Sequence, residues 1–262
     1  MFRRELRFLT ALWKANLLKH MEYRVAFISQ VLGMILNNGV YFLFWVIFFD
    51  RFEEVRGWAL PDMLLLFGIV ATGFGIGTFL FGNVLTLSEV ISEGRLDYYL
   101  SLPRPVLLHT LASRSAASGM GDFTYGLFSY AVSGYLTPDG FGRFLLGALA
   151  ATCVFLGILI LAQSAAFWLG NANMLARQMT NAIITFSIYP ITLFDGTAKL
   201  LLFTVLPAAF IGAIPAEFVR AFTWTDLALL VGAAITFLGL GILVFQRGLA
   251  RYESGSAIQI QS

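Results

Sequence analysis

Long stretches without any charged side chain limit what this chain can fold into. Uncharged runs of 25, 26, 33 and 20 residues cover 25–49, 63–88, 144–176 and 227–246. A helix needs about 20 apolar residues to cross the hydrocarbon core of a bilayer, so each run can span a membrane. Charged residues make up only 12% of the chain, against roughly a quarter in soluble domains. The sequence therefore excludes a soluble globule and predicts an all-α membrane protein.

Two further spans are less regular. The first begins at Met174 or Gln178, just beside Arg177, and ends at Phe194. The second covers 107–136 and contains Arg114 and Asp122, but it is rich in Ala, Ser and Gly. Small residues let helices pack closely on one another, so we interpret 107–136 as one long helix that faces protein. The sequence then predicts six transmembrane helices.

The apolar segment 200–216 contains Pro207 and Pro215, so it either crosses the membrane or enters it and returns. If it returns, both termini lie on one side, together with 12 of the 17 Lys and Arg residues. If it crosses, the termini lie on opposite sides and 11 basic residues share the side of the N-terminus. The excess of basic residues on the cytoplasmic side favours the first arrangement. We predict a re-entrant extracytoplasmic hairpin over 195–224, in a multi-pass protein of the inner membrane with both termini in the cytoplasm.

The N-terminal residues 1–21 repeat apolar side chains at helical spacing. The stripe consists of Phe2, Leu6, Leu9, Trp13 and Leu17. Its spacing predicts an amphipathic helix on the cytoplasmic membrane surface, with the tryptophan at the depth of the lipid headgroups. Arg3, Arg4 and Arg7 lie off the stripe. A signal peptide is the alternative, but the following apolar run is too long and lacks a cleavage pattern. The whole chain, 1–262, forms one membrane domain.

Several kinds of chemistry are excluded by composition. A phosphate-binding loop requires Lys followed by Ser or Thr, and the three lysines here are followed by Ala15, His20 and Leu200. A single cysteine and two histidines are too few for a disulfide framework or a structural zinc or haem site. The net charge of +2 does not suggest nucleic acid. We therefore expect no catalytic, cofactor-binding or metal residues in this chain.

Polar residues at spanning depth are the candidates for a transport pathway. Asp122 is the only acid there, and an ionised carboxylate at the bilayer centre costs about 2.5 to 3.5 kcal/mol, so it should face protein or water. A structural contact between helices is the alternative to a pathway role. The same two interpretations apply to the uncharged set Asn37, Asn38, Asn83, Gln163 and Asn181.

The segment 88–105 differs from the rest because it combines charges, tyrosines and prolines. It reads SEVISEGRLDYYLSLPRP. We predict a short helix broken around Gly94, with Val90, Ile91, Leu96, Tyr99 and Leu100 on one adhesive side and the charges exposed. A solvated loop is the alternative. Because leaving these tyrosines and leucines in water is costly, a docking surface is favoured.

These features together resemble the membrane subunits of type-2 ATP-binding-cassette (ABC-2) exporters, in the subgroup that pairs two permeases with a separate ATPase. The similarity covers nearly the whole chain. It lies in 93–100 (EGRLDYYL) before Pro103, 189–194 (YPITLF), 206–215 (LPAAFIGAIP) and 251–255 (RYESG). The resemblance implies a cytoplasmic coupling helix over 89–102. The residues it assigns to ATPase coupling are Glu89, Glu93, Arg95, Asp97, Tyr98, Tyr99, Leu102 and Arg104.

The expected function is that of a transport subunit which forms a substrate pathway with a second permease, homologous or identical. Two ATPase subunits would bind ATP and Mg²⁺ outside this chain. The abundance of aromatic residues favours an amphipathic or lipid-like cargo. The alternative is a passive channel or a membrane-anchored assembly factor without ATPase coupling.

Overall fold

The computed structural model describes residues 2–170 and 172–252, and within them the protein is helical, with one isolated bridge between Val55 and Trp58. Residues 253–255 of the predicted 251–255 motif lie outside the described residues. The helices are α1 Phe2–Glu22, α2 Arg24–Arg51, α3 Leu60–Leu80, α4 Leu87–Ser92, α5 Leu96–Leu100, α6 Val106–Ala112, α7 Ser118–Val132, α8 Pro138–Ser164, α9 Ala166–Leu169, α10 Asn173–Ser187, α11 Gly196–Thr204, α12 Ala213–Arg220 and α13 Trp224–Leu249. Short 3₁₀ turns occupy Gly82–Thr86, Ile191–Leu193 and Ala208–Phe210.

The all-helical prediction is confirmed, whereas the count of six spans is not. Among the described residues, four helical units are long and apolar enough to cross a bilayer: α2, α3, α8 with α9, and α13. A fifth is counted only if α11 and the 208–220 segment, which meet at 64°, form one broken span. α7 and α10 have 15 residues each, which is about 22 Å of helix against a hydrocarbon core of about 30 Å.

The prediction that 107–136 forms one long helix is wrong. The helix breaks between Ala112 and Ser118, so α6 and α7 are separate. The peptide groups that lose their helical partners bind other elements instead: Gly82 N donates to Arg114 O (2.8 Å) and Ala116 N donates to Thr78 O (3.0 Å). The small residues do allow close packing, as expected, but around irregular backbone rather than along a continuous helix.

α3 and α8 form the centre of the bundle, with most of their side chains buried, whereas α2 and α13 are largely exposed on its outside. Glycines set the distance between neighbouring backbones. A Cβ atom at Gly75 of α3 would lie only 2.6 Å from Gly119 O of α7, and one at Gly68 would lie 3.0 Å from Gly126 O. Gly157 of α8 packs in the same way against the backbone of α13.

α1 packs against the protein as well as along its surface. Trp13 Nε1 donates to Leu80 O at the end of α3 (2.8 Å), and Asn16 Nδ2 donates to Ala112 O at the end of α6 (3.0 Å). Arg3, Arg4 and Arg7 are exposed, as the amphipathic pattern predicts. The tryptophan thus satisfies a carbonyl group at a helix end, a role that its place on the apolar stripe did not indicate.

Both ends of the 195–220 segment contact the loop that joins α2 to α3, and one of them also contacts the first turn of α3. Arg56 pairs with Asp195 (3.0 Å) before α11, and Arg220 at the end of α12 pairs with Asp62 (3.0 Å) and donates to Gly57 O (3.1 Å). Pro207 lies at the bend between the two halves. Both ends of the segment therefore lie near the N-terminal end of α3.

Replacement of Gly75 by alanine should destabilise the protein. The added Cβ would meet Gly119 O and Phe123 N, which belong to backbone and cannot rotate away. We expect a loss of about 1 to 3 kcal/mol, as for other overpacked interiors, visible as a lower thermal unfolding temperature in detergent.

Gly232→Ala on α13 is the matched control, because no atom lies within 4 Å of the position that its Cβ would occupy. Equal unfolding temperatures for the two variants would show that α3 and α7 do not depend on backbone contact.

Candidate functional site

Segment 88–105 forms two short helices, α4 and α5, separated at Gly94, whose φ of 74° favours glycine. The predicted break around Gly94 is therefore confirmed. The predicted adhesive side is partly wrong, because Val90, Ile91 and Leu96 are buried within this chain and cannot contact a partner. They pack into the main hydrophobic core.

Polar contacts hold α4 to the helices behind it. The side chain of Gln163 in α8 donates to Leu85 O (2.9 Å) and accepts from Ser88 N (2.9 Å). Glu89 pairs with Arg177 of α10 (3.0 Å). Gln163 was a candidate pathway residue and Glu89 a candidate coupling residue, and the structure places both in contacts that position α4.

The end of the segment binds α1 and α6. The Tyr99 hydroxyl is hydrogen-bonded to Ser113 Oγ (2.8 Å), and Arg104 pairs with Glu5 of α1 (2.8 Å). His109 of α6 makes edge contacts with the rings of Phe8 (4.9 Å) and Tyr99 (5.2 Å). Burial, with a further contribution from the Arg104 charge, lowers the pKa of His109, which favours a neutral imidazole in this aromatic cluster.

Tyr252, which follows α13, lies close to Asp97 of segment 88–105. Its ring contacts Phe167 (6.2 Å between centroids). Burial, reinforced by the neighbouring carboxylate of Asp97, raises the pKa of Tyr252 to about 12, so its hydroxyl stays protonated at neutral pH. The last described residues of the chain therefore lie beside segment 88–105.

The side of the segment turned away from the protein combines charge with apolar surface. Tyr98 and Leu100 are 64% and 45% exposed. Glu93 and Arg95, also exposed, pair with each other (2.8 Å), and Asp97 lies next to them. We call Glu93, Arg95, Asp97, Tyr98 and Leu100 the outward face. Leu102 is half-buried at its edge.

A partly open cavity of about 230 Å³ lies between the helices of the bundle and contains Asp122 in its wall. It is bounded by α2, α3, α7, α8, α10 and Ile211. The Asp122 side chain is 4% exposed, and its Oδ1 accepts a hydrogen bond from Asn38 Nδ2 (2.7 Å). Asn37 lines the same cavity. We call this the Asp122 cavity.

The other predicted pathway residues lie elsewhere. Asn83 donates to Thr110 O (2.8 Å) and to Ser113 Oγ (2.7 Å), so it stabilises the break between α6 and α7. Asn181 is exposed on α10. Only Asn37, Asn38 and Asp122 of the set therefore share a cavity.

A second, more polar cavity of about 520 Å³ lies between α1, α5 and the 113–115 backbone. Its charged lining is basic and comes from Lys19, Arg95 and Arg114. These residues are far apart in sequence, so no motif indicated the cavity.

In the ranges 2–170 and 172–252, no group of three or more His, Cys, Asp or Glu side chains could hold a metal ion.

Comparison with protein families matches residues 35–256 to a model described as ABC-2 family transporter protein. The chain belongs to the ABC-2 transporter family. No curated protein and no solved structure matches it significantly. The family model covers the Asp122 cavity and the whole of segment 88–105, but only the last third of the α1–α2 region.

Membership of the ABC-2 family, with several apolar helices, makes this chain a multi-pass membrane protein. It is a permease, so its role in transport is that of a membrane subunit and not of a catalyst. ABC-2 permeases associate with ATPase subunits, and the resemblance seen in the sequence is thereby confirmed at the level of the family.

Replacement of Asn38 by leucine should destabilise this ABC-2 permease. The change leaves both oxygens of Asp122 without a donor among the described residues, and an unsatisfied buried group costs about 1 to 3 kcal/mol. Thermal unfolding in detergent is the measurement. Adding Asp122→Leu to Asn38→Leu should restore much of the lost stability, because both partners of the hydrogen bond are then apolar.

The neighbouring Asn37→Leu is the control. Asn37 is exposed, and its side chain makes only a long contact with the sulfur of Met34 (3.9 Å). If the Asn38 and Asn37 variants unfold at the same temperature, the hydrogen bond to Asp122 contributes nothing to stability.

Proposed function

We propose that this chain is the membrane subunit of an ATP-driven exporter. It would form the substrate pathway with a second permease and receive mechanical work from two separate ATPase subunits, which bind ATP and Mg²⁺. Membership of the ABC-2 family supports an exporter permease. The observation that supports ATPase coupling is the outward face. Its side chains are exposed, while other residues of segment 88–105 are buried or bound to neighbouring helices.

The construction of segment 88–105 suits a mechanical contact. Leu87 and Leu96 are fully buried, and Glu89, Tyr99 and Arg104 each bind a different helix. A load applied to Tyr98 and Leu100 is therefore shared among α10, α1 and the end of α6. Burial of the two apolar side chains would supply affinity at about 25 cal/mol per Å², while Glu93, Arg95 and Asp97 would set orientation.

The Asp122 cavity supports the participation of a second permease. Complete ligand pockets measure about 300 to 1,000 Å³, and this cavity is smaller and partly open. α2 and α10, which bound it, have few buried residues of their own. A second permease packed on these helices would enlarge and close the cavity, and rigid-body movement of the two subunits would then alternate access to it.

We also infer that 195–224 is re-entrant and that both termini are cytoplasmic. The contacts of Asp195 with Arg56 and of Arg220 with Gly57 O support this, because they hold both ends of the segment to the loop between α2 and α3. With the hairpin returning, 12 of 17 basic residues lie on the cytoplasmic side, which agrees with the positive-inside rule. The inner membrane is the corresponding location.

Tyr98→Ala should weaken ATPase binding or uncouple ATP hydrolysis from transport, since Tyr98 is the largest apolar group of the outward face. Arg95→Glu should have a similar effect that depends on salt, because exposed charges are screened. The measurements are copurification of the ATPase and ATP-dependent transport in proteoliposomes. Membrane insertion should be unchanged.

Trp224→Ala and Arg51→Glu are the controls. Trp224 is 76% exposed and Arg51 is exposed, and both lie at the end of the bundle opposite to segment 88–105. Full ATPase binding and coupled transport after combined alanine substitution of Glu93, Arg95, Tyr98 and Tyr99 would show that the docking surface is elsewhere, with α1 as the next candidate.

The topology can be tested with single cysteines in a Cys153→Ala background. A membrane-impermeant maleimide added to sealed cells should label Lys199→Cys and Phe222→Cys but not Arg251→Cys, because a re-entrant segment keeps Lys199 and Phe222 outside. If the segment crosses, Arg251→Cys, which follows α13, is labelled and Phe222→Cys is protected. Lys199→Cys is the positive control, since it lies outside in both arrangements.

A further inference from the structure

We propose that the Asp122 cavity binds a lipophilic cation, meaning an ammonium group attached to an aromatic or aliphatic body. Taken as the cargo of transport, such a cation defines the substrate class of the exporter, and to that extent the inference rests on the proposed function. The binding site itself rests on the unmet hydrogen-bonding capacity of one carboxylate and on the walls around it.

Asp122 lacks a partner for one of its oxygens. Asn38 donates to Oδ1, whereas Oδ2 is buried and has no hydrogen-bond partner among the described residues. A buried polar atom left in this state costs free energy, and intramembrane acids are kept where a ligand, an ion or a partner side chain uses them. The cavity is therefore short of a donor next to Oδ2.

Asp62 is a second buried carboxylate with which the hydrogen bonding of Asp122 can be compared. It is as buried as Asp122, yet both of its oxygens are satisfied. Oδ1 accepts from Tyr135 (2.6 Å) and Arg220 (3.0 Å), and Oδ2 accepts from Ala59 N (2.9 Å). Glu5 Oε2 is also buried without a hydrogen-bond partner among the described residues, but Glu5 pairs with Arg104 through its other oxygen (2.8 Å). Asp122 has no such cation in the cavity wall.

The walls of the cavity suit a cation that carries an apolar body. Phe74 and Phe155 meet edge to face with centroids 4.7 Å apart, and Tyr41 and Phe67 lie 5.8 Å apart. Aromatic rings attract cations through the negative potential of their faces. No Lys, Arg or His from the described residues lines the cavity, so the positive charge that would complement Asp122 must come from an occupant.

Arg114 does not supply that charge. It is exposed, it lines the basic cavity between α1 and α5, and no ion pair joins it to Asp122 in the described part of the chain. A water molecule or a side chain of the second permease remains as a competing donor to Oδ2. A primary ammonium differs from both because its binding depends on ligand charge and persists in the assembled complex.

Three probes that share one phenylbutyl body test the proposal. They are 4-phenylbutylamine, a cation at neutral pH, the uncharged 4-phenylbutan-1-ol, and the anion 4-phenylbutanoate. Equilibrium binding is measured with the full chain in lipid nanodiscs, alone and with its copurified partners, after subtraction of binding to empty nanodiscs. We expect the amine to bind about tenfold or more tightly than the alcohol, equivalent to about 1.4 kcal/mol, with the anion weakest.

Asp122→Asn should remove the preference for the amine and leave the affinity for the alcohol unchanged. Asp50→Asn is the matched control, since it removes one exposed carboxylate outside the cavity and should retain the preference. Phe155→Leu should weaken the amine more than the alcohol. If Asp122→Asn does not fold, the relative affinities of the three probes for the unmodified chain still test whether the cavity prefers a cation.

Equal binding of amine and alcohol by the unmodified chain would overturn the proposal, as expected if water satisfies Oδ2. A preference that survives in Asp122→Asn, or one that disappears when the second permease is bound, would overturn it too. The measurement requires no ATP. Amine binding without coupled transport would contradict the proposed function alone, and coupled transport without amine preference would contradict this inference alone.

Discussion

Every backbone N–H and C=O group inside a bilayer needs a partner, and this requirement controls where the helices of this protein can break. The break at 113–117 is possible because Gly82 and Thr78 bind the exposed peptide groups on one side. On the other side, α1 binds the break through Asn16 and His20. The irregular backbone is therefore covered by protein, and three elements are held together at one point.

This junction connects the surface to the membrane interior. Tyr99 of α5 binds Ser113 at the start of the break, and α7 begins at Ser118, one turn before Asp122. α7 in turn packs on α3 with glycine backbones in contact. A displacement of the outward face therefore has a continuous path of hydrogen bonds and packed backbone to the Asp122 cavity.

The sequence predicted the helical class, the family and the break at Gly94, because each depends on local residue type. It could not show which apolar helices are central. α3 and α13 have mean hydropathies of 2.1 and 2.6, yet α3 is mostly buried and α13 mostly exposed. In a membrane an apolar side chain can face lipid or protein at similar cost, so hydropathy does not separate the two.

The same limit applies to the candidate site residues. The sequence grouped the eight coupling residues together, but only the fold separates the exposed Tyr98 from Tyr99, whose hydroxyl is bound to Ser113. It likewise grouped Asn83 and Gln163 with Asn38, although these two side chains satisfy backbone groups near 82–88 and 110. Adjacent polar residues differ in role because of contacts made 14 or more positions away, which no local pattern contains.

Two ion pairs, one at each end of the bundle, differ in how far their side chains are buried. At the hairpin end, Arg220 binds a buried carboxylate, Asp62, that also accepts from Tyr135 and Ala59 N, and breaking such a pair leaves a buried charge uncompensated. At the other end, Glu93 and Arg95 are both about half exposed, and pairs of this kind contribute at most about 1 kcal/mol. The Glu93–Arg95 pair can therefore be exchanged for contacts with a partner at little cost, whereas the Arg220–Asp62 pair resists rearrangement. In the coupling that we propose, this difference would let the outward face accept new partners while the Arg220–Asp62 pair keeps the opposite end in place.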